Sequence, residues 1–171
     1  MIIREAKESD ILRILEIFNH ALINSTSVYA YEPATLDDQL SWFRHKIDDA
    51  YPVYVGEENG EVIGYCTYGP FRTRPAYKYT VEHSVYVDHR FRNKGYGKAL
   101  LEKIIDSADQ AGYQTMVAGI DSQNTVSIAL HLACGFTYSG TIHKAGYKFG
   151  KWLDLAFYQK ELKGPKNPTE S

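Results

Sequence analysis

The chain has 171 residues, 44% of them hydrophobic and 23% charged, a globular balance that excludes disorder or a fibrous repeat and suits one domain of ordinary size. Its 19 basic and 21 acidic residues leave a net charge of -2, so no surface basic enough for nucleic acid is expected. No apolar run approaches the roughly 18 residues of a membrane span, and Arg4, Glu5, Lys7 and Glu8 stand where a signal peptide is apolar, so a cytoplasmic protein without membrane attachment is expected.

Met1 to Arg4 reads as a short edge strand, with Ser9 as a cap for the helix that follows. Ile11, Ile14, Leu15, Phe18 and Leu22 recur at helical spacing and must face a core. A loop carrying Tyr29, Tyr31, Glu32 and Pro33 leads to Thr35, which with Asp38 forms a capping box. The helix it opens should bury Leu36, Leu40, Phe43 and Ile47. Val53 to Glu57 and Val62 to Tyr68 flank Asn59-Gly60, the dipeptide best suited to a type I′ turn, and predict a hairpin ended by Gly69-Pro70. A loop with Arg72, Arg74 and Tyr77 then reaches the β-branched run Thr80 to Val87. From Gly95 the period turns helical through Leu100, Leu101, Ile104, Ile105 and Ala108, stopping at Gly112. Thr115 to Ile120 predicts a strand, Val126 to Ala133 a short helix, and Phe136 to His143 and Trp152 to Leu162 two more strands. The order is that of an α/β (α+β) fold, a mixed sheet with helices on its faces. A single domain is expected over residues 1–162, and a disordered tail over 163–171.

The densest chemical signal is Arg90-Phe91-Arg92-Asn93-Lys94-Gly95-Tyr96-Gly97-Lys98, between a strand and a helix. A helix start offers unpaired N–H groups and a positive dipole end, glycines let a phosphate approach the backbone, and the basic side chains add charge. A Walker loop is excluded because Ala99 follows Gly97-Lys98, and a dinucleotide fingerprint because Leu100 stands where its third glycine belongs.

Arg92-x-x-Gly95-x-Gly97 resembles the pyrophosphate-binding segment of the GNAT superfamily of N-acetyltransferases. Asn124, Leu130, His131 and Gly135-Phe136 resemble that family's later block, with His131 in the place of its tyrosine. Four further blocks, Gly69 to Tyr77, Thr80 to Val87, Ser127 to His131 and Lys148 to Asp154, are similar to the phosphinothricin and methionine sulfoximine acetyltransferase branch. The resemblance runs from Ile2 to Leu162. It implies a mostly antiparallel sheet flanked by about four helices, acetyl-CoA as co-substrate, and an acetyl transfer to the amine of a small amino-acid analogue by direct attack in a ternary complex.

The resemblance also implies roles. Val85, Tyr86 and Val87 would pair with the pantetheine arm on a strand splayed by a bulge. Arg92, Asn93, Lys94, Gly95, Tyr96, Gly97 and Lys98 would hold the pyrophosphate, and Asn124 would join the cofactor site. Glu82 is the candidate base: in a regular strand it shares a face with Ser84 and Tyr86, opposite Val81, His83, Val85 and Val87. The alternative is a strand-end carboxylate paired with a cation. His131 titrates near neutrality, and acid, base and substrate-orienting roles are all open to it. Arg72 and Arg74 suit bidentate binding of a carboxylate or phosphinate, and either can face the pocket. Tyr77, Tyr31 and Glu32 are further candidates for its lining.

The six histidines lack paired ligand spacing such as HxH or HExxH, so no metal is expected. Cys66 and Cys134 lack CxxC spacing and read as small buried residues. Other acceptors remain open, namely a polyamine, an aminoglycoside or a protein N-terminus, as does a non-catalytic acyl-CoA sensor. The resemblance implies a homodimer, with which a surplus of 14 Tyr is compatible.

Overall fold

The structure, a computed structural model, describes all 171 residues. In chain order the elements are β1 (Ile2–Glu5), α1 (Ile11–Asn24), α2 (Leu36–Asp48), β2 (Val53–Glu58), β3 (Glu61–Pro70), β4 (Thr80–Val87), α3 (Tyr96–Gln110), β5 (Thr115–Asp121), α4 (Thr125–Ala133), β6 (Thr137–Lys148) and β7 (Lys151–Glu161). The seven strands form one sheet in the order β1, β2, β3, β4, β5, β7, β6. The pairs β1–β2, β2–β3, β5–β7 and β6–β7 are antiparallel, while β4 and β5 run parallel through Thr80↔Thr115, Val81↔Met116 and Glu82↔Val117. This is the mixed, mostly antiparallel sheet with four helices that the family resemblance implies.

The chain forms two compact units. One comprises Met1–Thr67 and Ser84–Lys103, the other Tyr68–His83 and Ile104–Ser171, so β3, β4 and α3 each carry residues of both. In the first unit, Ile11, Ile14 and Ile17 of α1 and Phe43 of α2 meet Val53, Val55, Val62 and Tyr65 of the β2–β3 hairpin in one apolar cluster. Asn59 and Gly60 turn that hairpin with positive φ at both, the backbone that a type I′ turn demands. In the second unit the buried residues include Ile104 and Ala108 of α3, Met116, Val117, Ala118 and Ile120 of β5, and Leu153, Ala156 and Tyr158 of β7.

Four local expectations change. Ser9 does not cap α1: it lies in a 3₁₀ turn, Glu8–Asp10, where the carboxylate of Asp10 accepts from the Lys7 backbone at 2.7 Å. The α2 capping box of Thr35 and Asp38 forms, but Leu36 and Ile47 are exposed, and Gln39 is buried beside Phe43 instead. The second hairpin strand runs on through Gly69 to Pro70. β6 extends past His143 to Lys148, with register shifts near Gly140 and Gly146 that hide its alternation in the sequence. In the C-terminal segment, Lys163 donates its backbone N–H to Asp109 at 2.8 Å, and Thr169 donates to the Tyr79 hydroxyl at 3.0 Å.

Candidate active site

The glycine-bearing loop belongs to the first unit and is organised by one carboxylate. Asp88 is buried. It accepts from the Arg90 backbone at 2.9 Å, from the Arg90 guanidinium at 2.9 and 3.2 Å, and from Arg13, while its own N–H donates to Ile63 at 2.8 Å. Burial opposes its charge, and the hydrogen bonds from Arg90 and Arg13 overcome that, holding its carboxyl far below the usual carboxylate range. Beyond it the chain turns through positive φ at Asn93 and at Gly95, where φ is +80°. α3 then begins at Tyr96, whose hydroxyl donates to Glu58.

Arg92, Asn93, Lys94, Gly95 and Lys98 are exposed, and Tyr96 and Gly97 half-buried. The first N–H groups of α3 thus share an exposed turn with Arg92 and Lys94, while Lys98 pairs with Glu102 one turn on; N–H groups and basic side chains are donor types that fit the phosphates of acetyl-CoA. Val85, Tyr86 and Val87 are half-buried along β4, and the ring of Tyr86 stacks on Tyr65 at 5.2 Å between centroids.

The second unit carries the other candidates. Glu82 is exposed on β4 while Val81 and His83 on either side are buried, the alternation the strand predicts. Desolvation by the surrounding protein raises its carboxyl above the usual range, and the charge of Arg72 pulls it back down. Arg72 donates to the Phe71 carbonyl at 2.8 Å and lies 4.2 Å over the Phe71 ring. Arg74 is exposed at the start of the 3₁₀ turn Pro75–Tyr77. Phe71, Tyr77, Thr80, Val117, Ile142 and Phe157 line a cavity of about 510 Å³, largely apolar and edged by Ser139, Thr141 and Gln159. Thr80 shares its strand face with Glu82, and Val117 is the register partner of Glu82. Tyr31 and Glu32 are exposed on the α1–α2 loop, in the other unit.

His131 is buried on α4, where Asn124 caps the helix by accepting from Ser127 at 3.1 Å. Both ring nitrogens are engaged: Nδ1 lies 2.7 Å from the Ser127 carbonyl and Nε2 lies 2.9 Å from Nε2 of His83. Sequence reasoning assigns His83 no role, since a lone histidine on the inward face of a strand gives no sign of a partner 48 residues away. Cys66 is buried, and burial pushes its thiol up to about 12, the behaviour of an inert core thiol.

Residues 11–136 match the model of the acetyltransferase (GNAT) family. The chain belongs to this family. It is 44% identical over 162 residues, 95% of each chain, to an L-methionine sulfoximine/L-methionine sulfone acetyltransferase of Salmonella typhimurium. An acetyltransferase from Salmonella typhimurium, crystallised with its cofactor acetyl-CoA, superposes with a TM-score of 0.95 at 43% identity, over 99% of this chain and 98% of that one. A phosphinothricin acetyltransferase of Sinorhizobium meliloti in complex with acetyl-CoA gives 0.94 at 37% identity, over 99% and 93%. This GNAT protein is thus an acetyl-CoA-dependent N-acetyltransferase.

Proposed function

We propose that this acetyltransferase acetylates the amino group of a small amino-acid analogue carrying an anionic or strongly polar tetrahedral group, of the methionine sulfoximine, methionine sulfone or phosphinothricin type. The observation that carries the reading is Glu82: an open carboxyl of raised pKa, on the strand face shared with Thr80 at the cavity wall and within the field of Arg72. An amino acid arrives as an ammonium ion, which must lose a proton before nitrogen can attack, and such a carboxylate is a suitable acceptor, directly or through one water. The apolar lining of Phe71, Tyr77 and Ile142 suits a methylene chain, and the guanidinium groups of Arg72, which lies over the lining residue Phe71, and of Arg74 suit an anion.

When bound, acetyl-CoA supplies an acetyl group activated as a thioester. In this reading Arg92, Lys94, Lys98 and the N–H groups from Gly95 to Gly97 hold its pyrophosphate, Val85 to Val87 meet the pantetheine arm, and Asn124 sets the start of α4. The amine attacks directly, with no acyl-enzyme. His131, whose two nitrogens are occupied within the protein, orients the site rather than moving protons. Both compact units act as one acetyltransferase domain. The chain pairs as a homodimer, for which exposed Tyr147, Phe149 and Trp152 at the β6–β7 turn supply apolar surface; its mass in solution by light scattering tests this.

The deciding experiment is thiol release from acetyl-CoA by the purified chain with methionine sulfone, methionine sulfoximine, phosphinothricin, spermidine or an N-terminal peptide as acceptor. Stimulation by the first three supports the reading. Stimulation by spermidine or peptide alone overturns the substrate class, and tight acetyl-CoA binding without turnover on any acceptor overturns the catalytic reading.

A further inference from the structure

We propose that His83 is a positioning residue for His131, the two imidazoles forming one hydrogen-bonded pair with a proton between their Nε2 atoms. A backbone carbonyl only accepts, so a ring nitrogen bonded to one must carry hydrogen. Nδ1 of His131 lies 2.7 Å from the Ser127 carbonyl, Nδ1 of His83 lies 3.2 Å from the Val117 carbonyl, and the two Nε2 atoms lie 2.9 Å apart. Those three contacts need three protons, and two neutral imidazoles bring two.

The neutral pair therefore leaves one contact without hydrogen, and the longest, from His83 to Val117, is the one that yields. His131 then donates from Nδ1 to Ser127, and His83 donates from Nε2 to Nε2 of His131. This order fixes the tautomer and orientation of His131 from a residue that need touch no substrate. Uptake of a third proton, on Nδ1 of His83, completes all three contacts and turns the pair into an imidazole and an imidazolium sharing one charge.

The other groups facing the pair are the Ser127 hydroxyl, 3.4 Å from Nδ1 of His131, and the ring of Phe136, whose centroid lies 5.6 Å from that of His83 and 5.1 Å from that of His131. Neither imidazole has a carboxylate partner. Burial disfavours charge on both rings, pushing His83 down to about 3 and lowering His131. The third proton thus enters below the ordinary histidine range, in one step that belongs to the pair. The pairing stands on geometry alone; its use in acetyl transfer rests on the catalytic reading above.

Nitrogen-15 NMR of the histidine-labelled full chain, without cofactor, tests the pair. The expected result is a scalar coupling between the two Nε2 nuclei across the hydrogen bond, with both rings shifting together in one step on the acid side of free histidine. Absence of the coupling, or two independent titrations, overturns it. Positioning is tested with H83Q, which keeps a donor for His131 without a titratable ring, and H83L, which removes it. H83L should lose kcat while KM for acetyl-CoA holds, and H83Q should recover kcat with the acid step gone from its pH profile. Equal kcat and equal pH profiles in all three proteins overturn the positioning role. Because the NMR experiment needs no turnover, a chain inactive on every acceptor would refute the catalytic reading and leave the test of the pair intact.

Discussion

A carboxyl that must strip a proton from an ammonium works better when its own proton affinity is raised, and Glu82 meets that condition through desolvation against the pull of Arg72. Raising the pKa means that Glu82 becomes a base only above the usual carboxylate range, so kcat/KM should climb with pH through a limb displaced upward from it. Glu82→Gln should lower kcat by roughly 100-fold or more and erase that limb, with acetyl-CoA affinity unchanged by calorimetry. Arg72→Ala should move the limb further up in pH, since the cation that lowers the Glu82 pKa is gone, and should raise KM for the acceptor; a limb that stays in place would mean the two side chains do not communicate. Glu82, Arg72 and His131 stood out as candidates in the sequence because their blocks resemble a family. His83 was not, because strand parity says only that it points inward and nothing local says that another imidazole waits there.

At the scale of elements, turn chemistry reads most reliably. Asn59-Gly60 and the Thr35–Asp38 box act through residues a few positions apart and both appear as expected. The stripe on α2 misleads because helical spacing shows which residues share a face, not how much of that face a neighbour covers; Phe43 is buried, while Leu36 and Ile47, at the first and penultimate positions of the helix, are exposed. The far half of β6 escapes for a different reason, as its register shifts break the two-residue period on which strand recognition depends. The turn into α3 offers a direct test. Gly95 has φ of +80° with no atom within 4 Å of an added Cβ, so Gly95→Ala strains only the backbone, by about 1 kcal/mol. The expected outcome is weaker acetyl-CoA binding with kcat at saturating acetyl-CoA preserved, read by calorimetry and steady-state kinetics.

For the whole molecule, the strand order was beyond the sequence: neither the parallel β4–β5 pair nor the placement of β7 between β5 and β6 follows from any local pattern, since strand pairing is settled by contacts far apart in the chain. The response to acid is more predictable. His83 and His131 bind protons less readily when folded than when unfolded, so stability should fall as pH drops below about 6.5, the ordinary histidine value. Asp10, held down chiefly by its hydrogen bond from Arg4, and Asp88 contribute stability that is complete above the ordinary aspartate value and lost as pH falls below it. Thermal unfolding should therefore weaken in two stages on acidification, and H83Q should blunt the first alone. Asp88 carries one consequence more. The loop that we propose receives the cofactor's phosphates is folded around a negative charge of its own, clasped by Arg13 and Arg90. Capture of acetyl-CoA should then be a single encounter whose observed rate rises linearly with concentration in stopped-flow fluorescence, whereas a rate that levels off would reveal a loop that takes shape only after contact.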